Sequence, residues 1–243
     1  MKTVYICIDD TDNIDSIGTG EILENICDRL KDEGIAEGGF VTRHQLLISD
    51  KIAYTSHNSS MCSALLTDDT EAVVRFAGEY LENNSADGSD PGLCVYEPKG
   101  SDTSFLTAFG KRAQSEVLTK DDAFNTAKLY DGEIFLSEHG GDGSGIIGAL
   151  AGIGLRLTGS DGRIKGKIFP EKEGERLTCR DFCKKYGAGQ AIDSETLKKI
   201  PDDETICFEA VTKAVYRDFM ITIVAERRGD LYVPVPKKLK NKK

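Results

Sequence analysis

Short apolar runs separated by polar loops dominate the first hundred residues. Residues 3–8 form an apolar run rich in β-branched and aromatic side chains, which is typical of a buried strand. Over residues 19–33 the apolar positions recur at helical spacing, and Gly34 follows as a stop signal. The same reasoning predicts strands at residues 39–48, 61–66 and 93–96, and a helix at residues 70–81.

The order strand, helix, strand, strand, helix, strand defines the predicted fold class. It is the split βαβ, or ferredoxin-like, arrangement, so we predict an α+β protein whose residues 1–98 form such a unit. Residues 99–236 predict a second α/β unit, with mostly antiparallel sheets, a buried helix over residues 146–158 and a short helix over residues 193–200. Residues 237–243 form a basic tail.

The composition is that of a globular protein, with 243 residues, 39% of them hydrophobic. Seven Cys, most of them inside apolar runs, indicate reduced core thiols. No apolar run approaches the ~18 residues of a membrane span, and the chain begins without a signal-peptide pattern. We therefore expect a cytoplasmic protein that does not contact a membrane; the sequence leaves its oligomeric state open.

The formal net charge is −10, and residues 237–243 contribute five Lys, so the rest of the chain is more acidic still. A body this acidic is poorly suited to grip a phosphate backbone over a broad face. We therefore expect tRNA to be a disfavoured partner. We expect the lysine tail to be solvated, with contact to nucleic acid or to a protein partner as the alternative.

Three carboxylates lie within four residues, in the string Asp9-Asp10-Thr11-Asp12, directly after the first predicted strand. Carboxylates this close repel one another unless a cation lies among them. Ligand-binding crevices of α/β sheets also open at the ends of strands. The string therefore predicts a Mg²⁺ site formed by Asp9, Asp10 and Asp12. The alternative is an acidic surface turn that caps the next helix.

A glycine-rich loop, residues 139–145, follows a short predicted strand and opens the apolar helix. Its spacing, Gly143-x-Gly145-x-x-Gly148, can direct backbone N–H groups and a helix N-terminus at a phosphate. It is a weak dinucleotide fingerprint, because the next strand lacks the acidic residue that such folds place at its end. The alternative is a tight turn whose small residues permit close packing. The candidate nucleotide contacts are His139, Gly141, Asp142, Gly143, Ser144 and Gly145.

A cation site and an anion loop together are what phosphoryl transfer requires. Thr19, seven residues beyond Asp12, could receive a phosphoryl group, although threonine is also a good helix N-cap. Arg43 could contact a phosphate, with a surface ion pair as the alternative. Its neighbour His44 is expected to be a structural residue. Cys179 and Cys183 lack a second pair, which disfavours a zinc site.

The motifs resemble those of the archaeal tRNA agmatinylcytidine synthetases. The string Cys7-Ile8-Asp9-Asp10-Thr11-Asp12, with a threonine seven positions on, is similar to the N-terminal signature of that family. The glycine run of residues 145–154 resembles a second motif, and residues 219–236 resemble a closing strand pair. Asn58 resembles part of a further motif, although Ser56-His57 stands where the family has Arg-Gly.

The resemblance implies an ATP- and Mg²⁺-dependent catalytic half. Asp9, Asp10 and Asp12 would bind Mg²⁺, Thr19 would accept a phosphoryl group with Asp10 beside it, and Asn58 and the glycine loop would bind ATP. The family continues into an OB-fold and a zinc ribbon that hold the tRNA, and this sequence ends where they would begin. The resemblance therefore implies a relative that contains only the catalytic half.

The leading hypothesis is an ATP- and Mg²⁺-dependent phosphotransferase or ligase-type enzyme that acts on a small molecule or nucleoside. One alternative is a non-catalytic nucleotide-binding or partner-binding protein. Another is a subunit of a split tRNA cytidine-modifying enzyme. The acceptor, and the use of an amine such as agmatine, are left open by the sequence.

Overall fold

The computed structural model describes residues 1–52 and 58–237. The predictions made for Ser56 and His57, and for the tail beyond Lys237, lie outside these residues. The chain forms two compact units, Met1–Thr158 and Gly159–Lys243. The domain ranges predicted from the sequence stay a prediction. The boundary between the two compact units lies after Thr158, and the predicted boundary lies after residue 98. The acidic string and the glycine-rich loop therefore both belong to the first compact unit.

The first unit alternates strands and helices in an order close to the predicted one. Its strands are Lys2–Asp9 (β1), Ala36–Gly38 (β2), Thr42–Gln45 (β3), Ser59–Thr67 (β4), Gly92–Tyr96 (β5) and Ile134–Glu138 (β6). Its helices are Thr19–Asp32 (α1), Thr70–Asn84 (α2), Ser104–Ala113 (α3), Lys120–Ala127 (α4) and Gly145–Leu157 (α5).

The strands of the first unit pair antiparallel in the order β6-β5-β1-β4-β3, and β2 also pairs with β4. Of the predicted strand over residues 39–48, only Thr42–Gln45 (β3) is a strand, and β2 lies just before the predicted range. The mixed α/β class with mostly antiparallel pairing is confirmed. The ferredoxin-like assignment stays a prediction.

Helices cover both faces of this sheet. On one face, alternate residues of β1 (Val4, Ile6 and Ile8) pack with apolar residues of α1 and α2. On the other face, Cys7 of β1, Cys62 of β4 and Cys94 of β5 pack with α3, α4 and α5. All seven Cys are buried and free, as the sequence predicts. Because α5 is buried on almost every side, its residues are apolar all round, as the sequence indicated.

The second unit contains Arg163–Ile164 (β7), Glu175–Thr178 (β8), Cys179–Lys185 (α6), Gln190–Asp193 (β9), Thr205–Phe208 (β10), Val215–Arg217 (β11), Met220–Arg228 (β12) and Leu231–Pro234 (β13). Strand β11 pairs antiparallel with β7 and β12, and β12 with β13. Two pairs are parallel, β10 with β13 and β9 with β12. The core includes Phe182, Phe208 and Ile223.

One predicted helix is wrong. Asp193 ends strand β9, and residues 194–200 follow it as turns and loop rather than as a helix. The carboxylate of Asp193 accepts hydrogen bonds from the backbone N–H groups of Glu195 and Thr196 and from the Thr196 hydroxyl. Such bonds offer the backbone an alternative to a helix, and Leu197 takes a φ of 57°. Among the described residues, no helix is long and apolar enough to cross a membrane.

Candidate functional site at one edge of the first sheet

The predicted site segments leave the sheet of the first unit at the same edge. Asp9, the last residue of β1, pairs with Gly92, the first residue of β5, and Gly92 pairs with Glu138, the last residue of β6. On the other side of β1, the first residue of β4, Ser59, pairs with the last of β3, Gln45. Antiparallel pairing thus gathers five strand ends that are far apart in sequence.

The acidic string and the glycine-rich helix are in direct contact. A Cβ on Gly148 would overlap Oδ2 of Asp9, so the carboxylate of Asp9 lies against the backbone of α5. A Cβ on Gly145 would stand 2.8 Å from the carbonyl oxygen of Asp9 and 2.6 Å from the nitrogen of Gly92. These two glycines allow α5 to lie directly on β1 and β5, as the close-packing interpretation of the motif predicts.

The chain turns sharply after β1. Asp10 has a φ of 54°, in the left-handed region where a residue other than glycine carries strain of about 1 kcal/mol or more. The carbonyl oxygen of Thr11 accepts a hydrogen bond from the N–H of Ala86 at 3.0 Å. This hydrogen bond ties the acidic string to the loop between α2 and β5.

Thr19 is the first residue of α1 and is buried. Its hydroxyl donates a hydrogen bond to Oδ1 of Asp12 at 3.1 Å. The N-cap position is occupied by Gly18, and no side chain caps the helix. Thr19 is therefore not the N-cap of α1, and no side chain of the acidic string caps this helix.

The backbone N–H groups of the glycine loop already bind acceptors of the protein. The N–H of Asp142 donates to Oδ1 of Asp90, and the N–H of Ser144 donates to Oδ1 of Asp142 at 2.8 Å. The N–H of Gly145 donates to the carbonyl oxygen of Asp90 at 3.0 Å. The loop thus holds carboxylates in place. Phosphate binding by Gly141, Asp142, Gly143, Ser144 and Gly145 stays a prediction.

Asp90 is the site residue that the sequence analysis missed. It lies in a segment of polar composition, so nothing in the periodicity singled it out. The available signal was its place three residues before the predicted strand of residues 93–96, which pairs with β1. Its carboxylate binds the glycine loop and interacts electrostatically with Asp10, which links the two motifs.

Burial and the repulsion between neighbouring carboxylates dominate the electrostatics of the acidic string. Burial, and then the negative charge of Asp10, raise the pKa of Asp9 to about 8. Burial, followed by the carboxylates of Asp90, Asp12 and Asp142, raises the pKa of Asp10 to about 6. Hydrogen bonds from the backbone and side chain of Ser144 lower the pKa of Asp142. A cation would favour the charged forms of Asp9 and Asp10.

The carboxylates at this edge suit a Mg²⁺ ion that also binds phosphate and water. They do not form a site closed by protein ligands alone. Across residues 1–52 and 58–237, no three acidic, His or Cys side chains are placed to hold a metal ion by themselves. Mg²⁺ is usually held by one or two carboxylates together with phosphate oxygens and water, so a preformed cage is not required. The buried hydroxyl of Thr11 also has no hydrogen-bond partner among the described residues.

The remaining predicted residues have protein partners at or near the same edge. The Nε of Arg43 donates to the Ser59 hydroxyl at 2.9 Å, and the amide nitrogen of Asn58 donates to the carbonyl oxygen of Leu47 at 2.7 Å. The ring of His139 lies between the Ser137 hydroxyl, at 2.8 Å, and the Glu82 carboxylate, at 3.2 Å. These contacts position the side chains, and their roles towards a nucleotide stay predictions.

His44 is buried, with its Nε2 2.8 Å from the Thr42 hydroxyl, as expected of a structural residue. The same hydroxyl accepts a hydrogen bond from the buried guanidinium of Arg156 at 2.8 Å, which also lies 4.4 Å from the centre of the Phe40 ring. Arg156 is a buried cation of α5 that the apolar helix pattern did not reveal. It fixes the end of α5 opposite Gly145 to β3.

Comparison of folds finds relatives where comparison of sequences does not. No protein-family model and no curated protein matches the chain. A tRNA fluorescent labelling enzyme has a TM-score of 0.55 and 23% identity, over 83% of this chain and 49% of that one. The complex of TiaS with an isoleucine tRNA and ATP has a TM-score of 0.57 and 22% identity, over 84% and 50%. The complex of TiaS with the same tRNA, AMPCPP and agmatine has a TM-score of 0.55 and 21% identity, over 84% and 51%.

TiaS is a tRNA agmatidine synthetase, so the predicted resemblance to that family is confirmed at the level of the fold. This chain spans about half the length of the matched structures. The expectation that tRNA is a disfavoured partner is wrong: the matched proteins are a tRNA labelling enzyme and complexes with tRNA. Net charge misled because it averages over the whole surface, whereas nucleic acids bind to local patches.

Proposed function

We propose that this chain is the catalytic half of an ATP- and Mg²⁺-dependent, ligase-type enzyme that modifies a tRNA nucleotide. The observation that carries the proposal is one edge of the sheet. There Asp9 contacts the glycine-rich helix, Asp12 accepts a hydrogen bond from the Thr19 hydroxyl, and Asp90 holds the glycine loop. The fold that the chain shares with TiaS supports it, because solved TiaS structures contain tRNA with ATP or an ATP analogue.

Asp10 and Asp12 are the proposed Mg²⁺ ligands, with Asp9 and Asp90 as neighbouring acceptors. Bound there, Mg²⁺ would supply a positive charge that offsets the negative charge of the phosphate oxygens during transfer. The carboxylates suit this role because burial and mutual repulsion raise the pKa of Asp9 and Asp10, so that a cation gains more there than at an ordinary surface acid.

Thr19 is the proposed phosphoryl acceptor: its oxygen would bond to a phosphorus of ATP while the bond from that phosphorus to the bridging oxygen breaks and the rest of the nucleotide leaves. Its hydroxyl points at Asp12, whose carboxylate can accept the hydroxyl proton when the oxygen becomes a nucleophile. The short first turn of α1 begins at Thr19 without a side-chain cap, so the hydroxyl is not committed to the helix backbone. The glycine loop contributes by orienting Asp90 and Asp142 towards the acidic string.

The acceptor of the complete reaction is proposed to be a nucleotide of a tRNA. A small amine such as agmatine is a proposed co-substrate, since one matched TiaS complex contains agmatine. Acting on a nucleoside in tRNA requires an RNA-binding surface in addition to the nucleotide site.

The non-catalytic alternative predicts ATP binding without any covalent product.

The test is intact-mass analysis of the protein after incubation with ATP and Mg²⁺. We expect the wild type to gain one phosphoryl group, Thr19→Ser to retain part of the gain and Thr19→Ala to lose it. Thr107→Ala, which removes another threonine hydroxyl at the start of a helix, is the matched control and should behave as the wild type. A second assay incubates the protein with ATP, agmatine and a tRNA pool, and measures modified nucleosides by mass spectrometry.

Two results would contradict the proposal in different ways. Calorimetric binding of Mg²⁺–AMPCPP without any covalent product on protein or tRNA would favour the non-catalytic alternative. The absence of measurable Mg²⁺–AMPCPP binding would remove the nucleotide site itself.

A further inference from the structure

Two segments of the second unit carry basic side chains and no acidic one. Residues 162–170 and 210–217 contain no acidic side chain, whereas the whole chain has a net charge of −10. Their basic residues are Arg163, Lys165, Lys167, Lys213 and Arg217. The nearest acidic residues, Asp161, Glu171, Glu209 and Asp218, lie just outside the two segments. The two segments together therefore have a net positive charge, whereas the chain as a whole is acidic.

Strand pairing places the two segments side by side. Val215 of β11 pairs with Arg163 of β7, the N–H of Ile164 donates to the carbonyl oxygen of Ala214 at 3.0 Å, and Ile168 forms a bridge with Thr212. Ile164, Ile168 and Ala214 pack against the core of the unit, so they mark the inner face. Arg163 and Lys167 are exposed on the outer side.

Two large aromatic rings are exposed at opposite ends of this surface. Phe169, which follows the inward-facing Ile168, is 60% exposed, and Phe219, at the turn between β11 and β12, is 65% exposed. The extended segment from Val211 to Asp218, which includes β11, runs between the two rings. At ~3.3 Å per residue it separates them by roughly 20 Å. We call the surface formed by Arg163, Lys167, Phe169, Lys213, Arg217 and Phe219 the basic aromatic face.

The conformation of Phe219 is one that a bulky residue rarely adopts. Asp218 and Phe219 have φ values of 52° and 61°, the pair of left-handed residues that a tight hairpin turn requires and that glycine or asparagine usually supplies. The ring nevertheless packs over Gly159, where a Cβ would overlap it, and lies 6.4 Å from the Tyr216 ring. The turn thus holds an exposed aromatic ring in a fixed position at a cost in backbone strain.

Arg217, beside this turn, has spare donor capacity. Its Nε is buried without a hydrogen-bond partner among the described residues, and it lies 3.6 Å from the carboxylate of Asp218. The Arg217 side chain is 34% exposed, so its guanidinium is accessible to a phosphate oxygen. The charge, the rings and this donor point to the same kind of ligand.

We propose that the basic aromatic face binds single-stranded RNA, with Phe169 and Phe219 stacking on unpaired bases and the Arg and Lys side chains contacting phosphates. Unpaired bases suit exposed rings because bases within a duplex are already stacked. The inference deepens the proposed function, on which it rests for the choice of RNA as the partner. It assigns the RNA contact to the second unit.

The test is fluorescence anisotropy of a labelled 12-nucleotide single-stranded RNA, titrated with the full chain at several salt concentrations. We expect the double variant Arg163→Gln/Lys167→Gln to bind at least tenfold more weakly. Its slope of log affinity against log salt should be smaller by about 1.4, for two lost phosphate contacts. The matched control Lys172→Gln/Lys184→Gln removes two exposed lysines of the same unit and should keep the wild-type slope.

A second variant separates binding from folding. Phe219→Gly relieves the left-handed strain, so its melting temperature should equal or exceed that of the wild type. We expect its RNA affinity to fall about tenfold with an unchanged salt slope, because a stacking contact is lost and no charge is removed. Phe105→Ala is the matched control, since Phe105 is 61% exposed on α3 of the first unit, and it should bind RNA as the wild type does.

The outcomes distinguish this inference from the proposed function. Phosphorylation of Thr19 is measured on the same variants and should not change. A wild type that gains the phosphoryl group but does not bind the RNA would overturn this inference alone. The inference would also be overturned if the duplex form of the oligonucleotide bound as tightly as the single strand and Phe219→Gly had no effect. That result would indicate that the RNA is attracted by charge only.

Discussion

The carboxylate of Asp9 lies directly against the backbone of α5 at Gly148, where any side chain would overlap Oδ2 of Asp9. This contact joins the end of β1 to a helix that begins well over a hundred residues later. It buries the Asp9 carboxyl and raises its pKa, and it sets the distance between the acidic string and the glycine loop. Substitutions at Gly148, Asp9, Asp90 and Asp12 each change one part of this arrangement.

Gly148→Ala should disrupt the contact with Asp9. The added methyl group has no space between α5 and β1, and overpacking of this kind costs about 3 kcal/mol, which lowers the melting temperature by roughly 6–12 °C. Thermal unfolding followed by circular dichroism measures the effect. The control is Gly18→Ala, because a Cβ there would meet its nearest atom at an ordinary 3.6 Å. Equal melting temperatures for Gly148→Ala and wild type would contradict the close packing.

Asp9→Asn should stabilise the metal-free protein at high pH. The pKa of Asp9 is about 8 in the folded state against a usual value of 3.8, so between these values the folded protein binds more protons than the unfolded chain. The stability of the wild type therefore falls as pH rises from about 4 to about 8, by an amount on the order of a few kcal/mol. An asparagine does not titrate and avoids this loss.

The measurement is the melting temperature of wild type and Asp9→Asn at pH 4, 6 and 8, in EDTA. We expect the advantage of the variant to be absent at pH 4 and largest at pH 8. Adding Mg²⁺ should raise the melting temperature of the wild type at pH 8 more than that of the variant. A difference that does not depend on pH would show that the Asp9 carboxyl is not perturbed.

Asp90 should affect both the glycine loop and cation binding. Asp90→Ala removes the acceptor for the Asp142 N–H and should lower the melting temperature, whereas Asp90→Asn keeps an acceptor oxygen and should not. Both remove a negative charge near Asp10, so both should raise the Mg²⁺ concentration needed for half-maximal AMPCPP binding, by about tenfold. Asp87→Asn, an exposed acid in the same loop, is the control that should leave that concentration unchanged.

Asp12→Asn should slow phosphoryl transfer to Thr19 more than it weakens nucleotide binding, because the asparagine amide oxygen can still contact Mg²⁺. Asparagine can still accept the hydrogen bond from the Thr19 hydroxyl but is a far weaker base, so we expect the phosphorylation rate to fall by about 10²-fold or more. Fluorescence binding of a labelled ATP analogue and timed intact-mass measurements give the two quantities. If the rate is unchanged, Asp12 does not accept the proton, and another group must do so.

Local patterns were sufficient where a short segment determined its own structure. The run of residues 3–8 was predicted to be a strand because its side chains are β-branched and aromatic, and it forms β1. The helical spacing after Thr19 likewise predicted α1. At residues 193–200 the pattern failed, because the Asp193 side chain supplies hydrogen bonds that compete with a helix, and such competition depends on backbone geometry.

The sequence by itself determined the acidic string, the glycine motif and most strands and helices, because each rests on residues that are neighbours along the chain. Only the tertiary structure decided that Asp9 meets Gly148, that Asp90 belongs to the same edge, and that the basic residues of β7 and β11 form one face. These relationships depend on which strands pair and in which register. Strand pairing joins residues that are distant in sequence, so no local pattern specifies it.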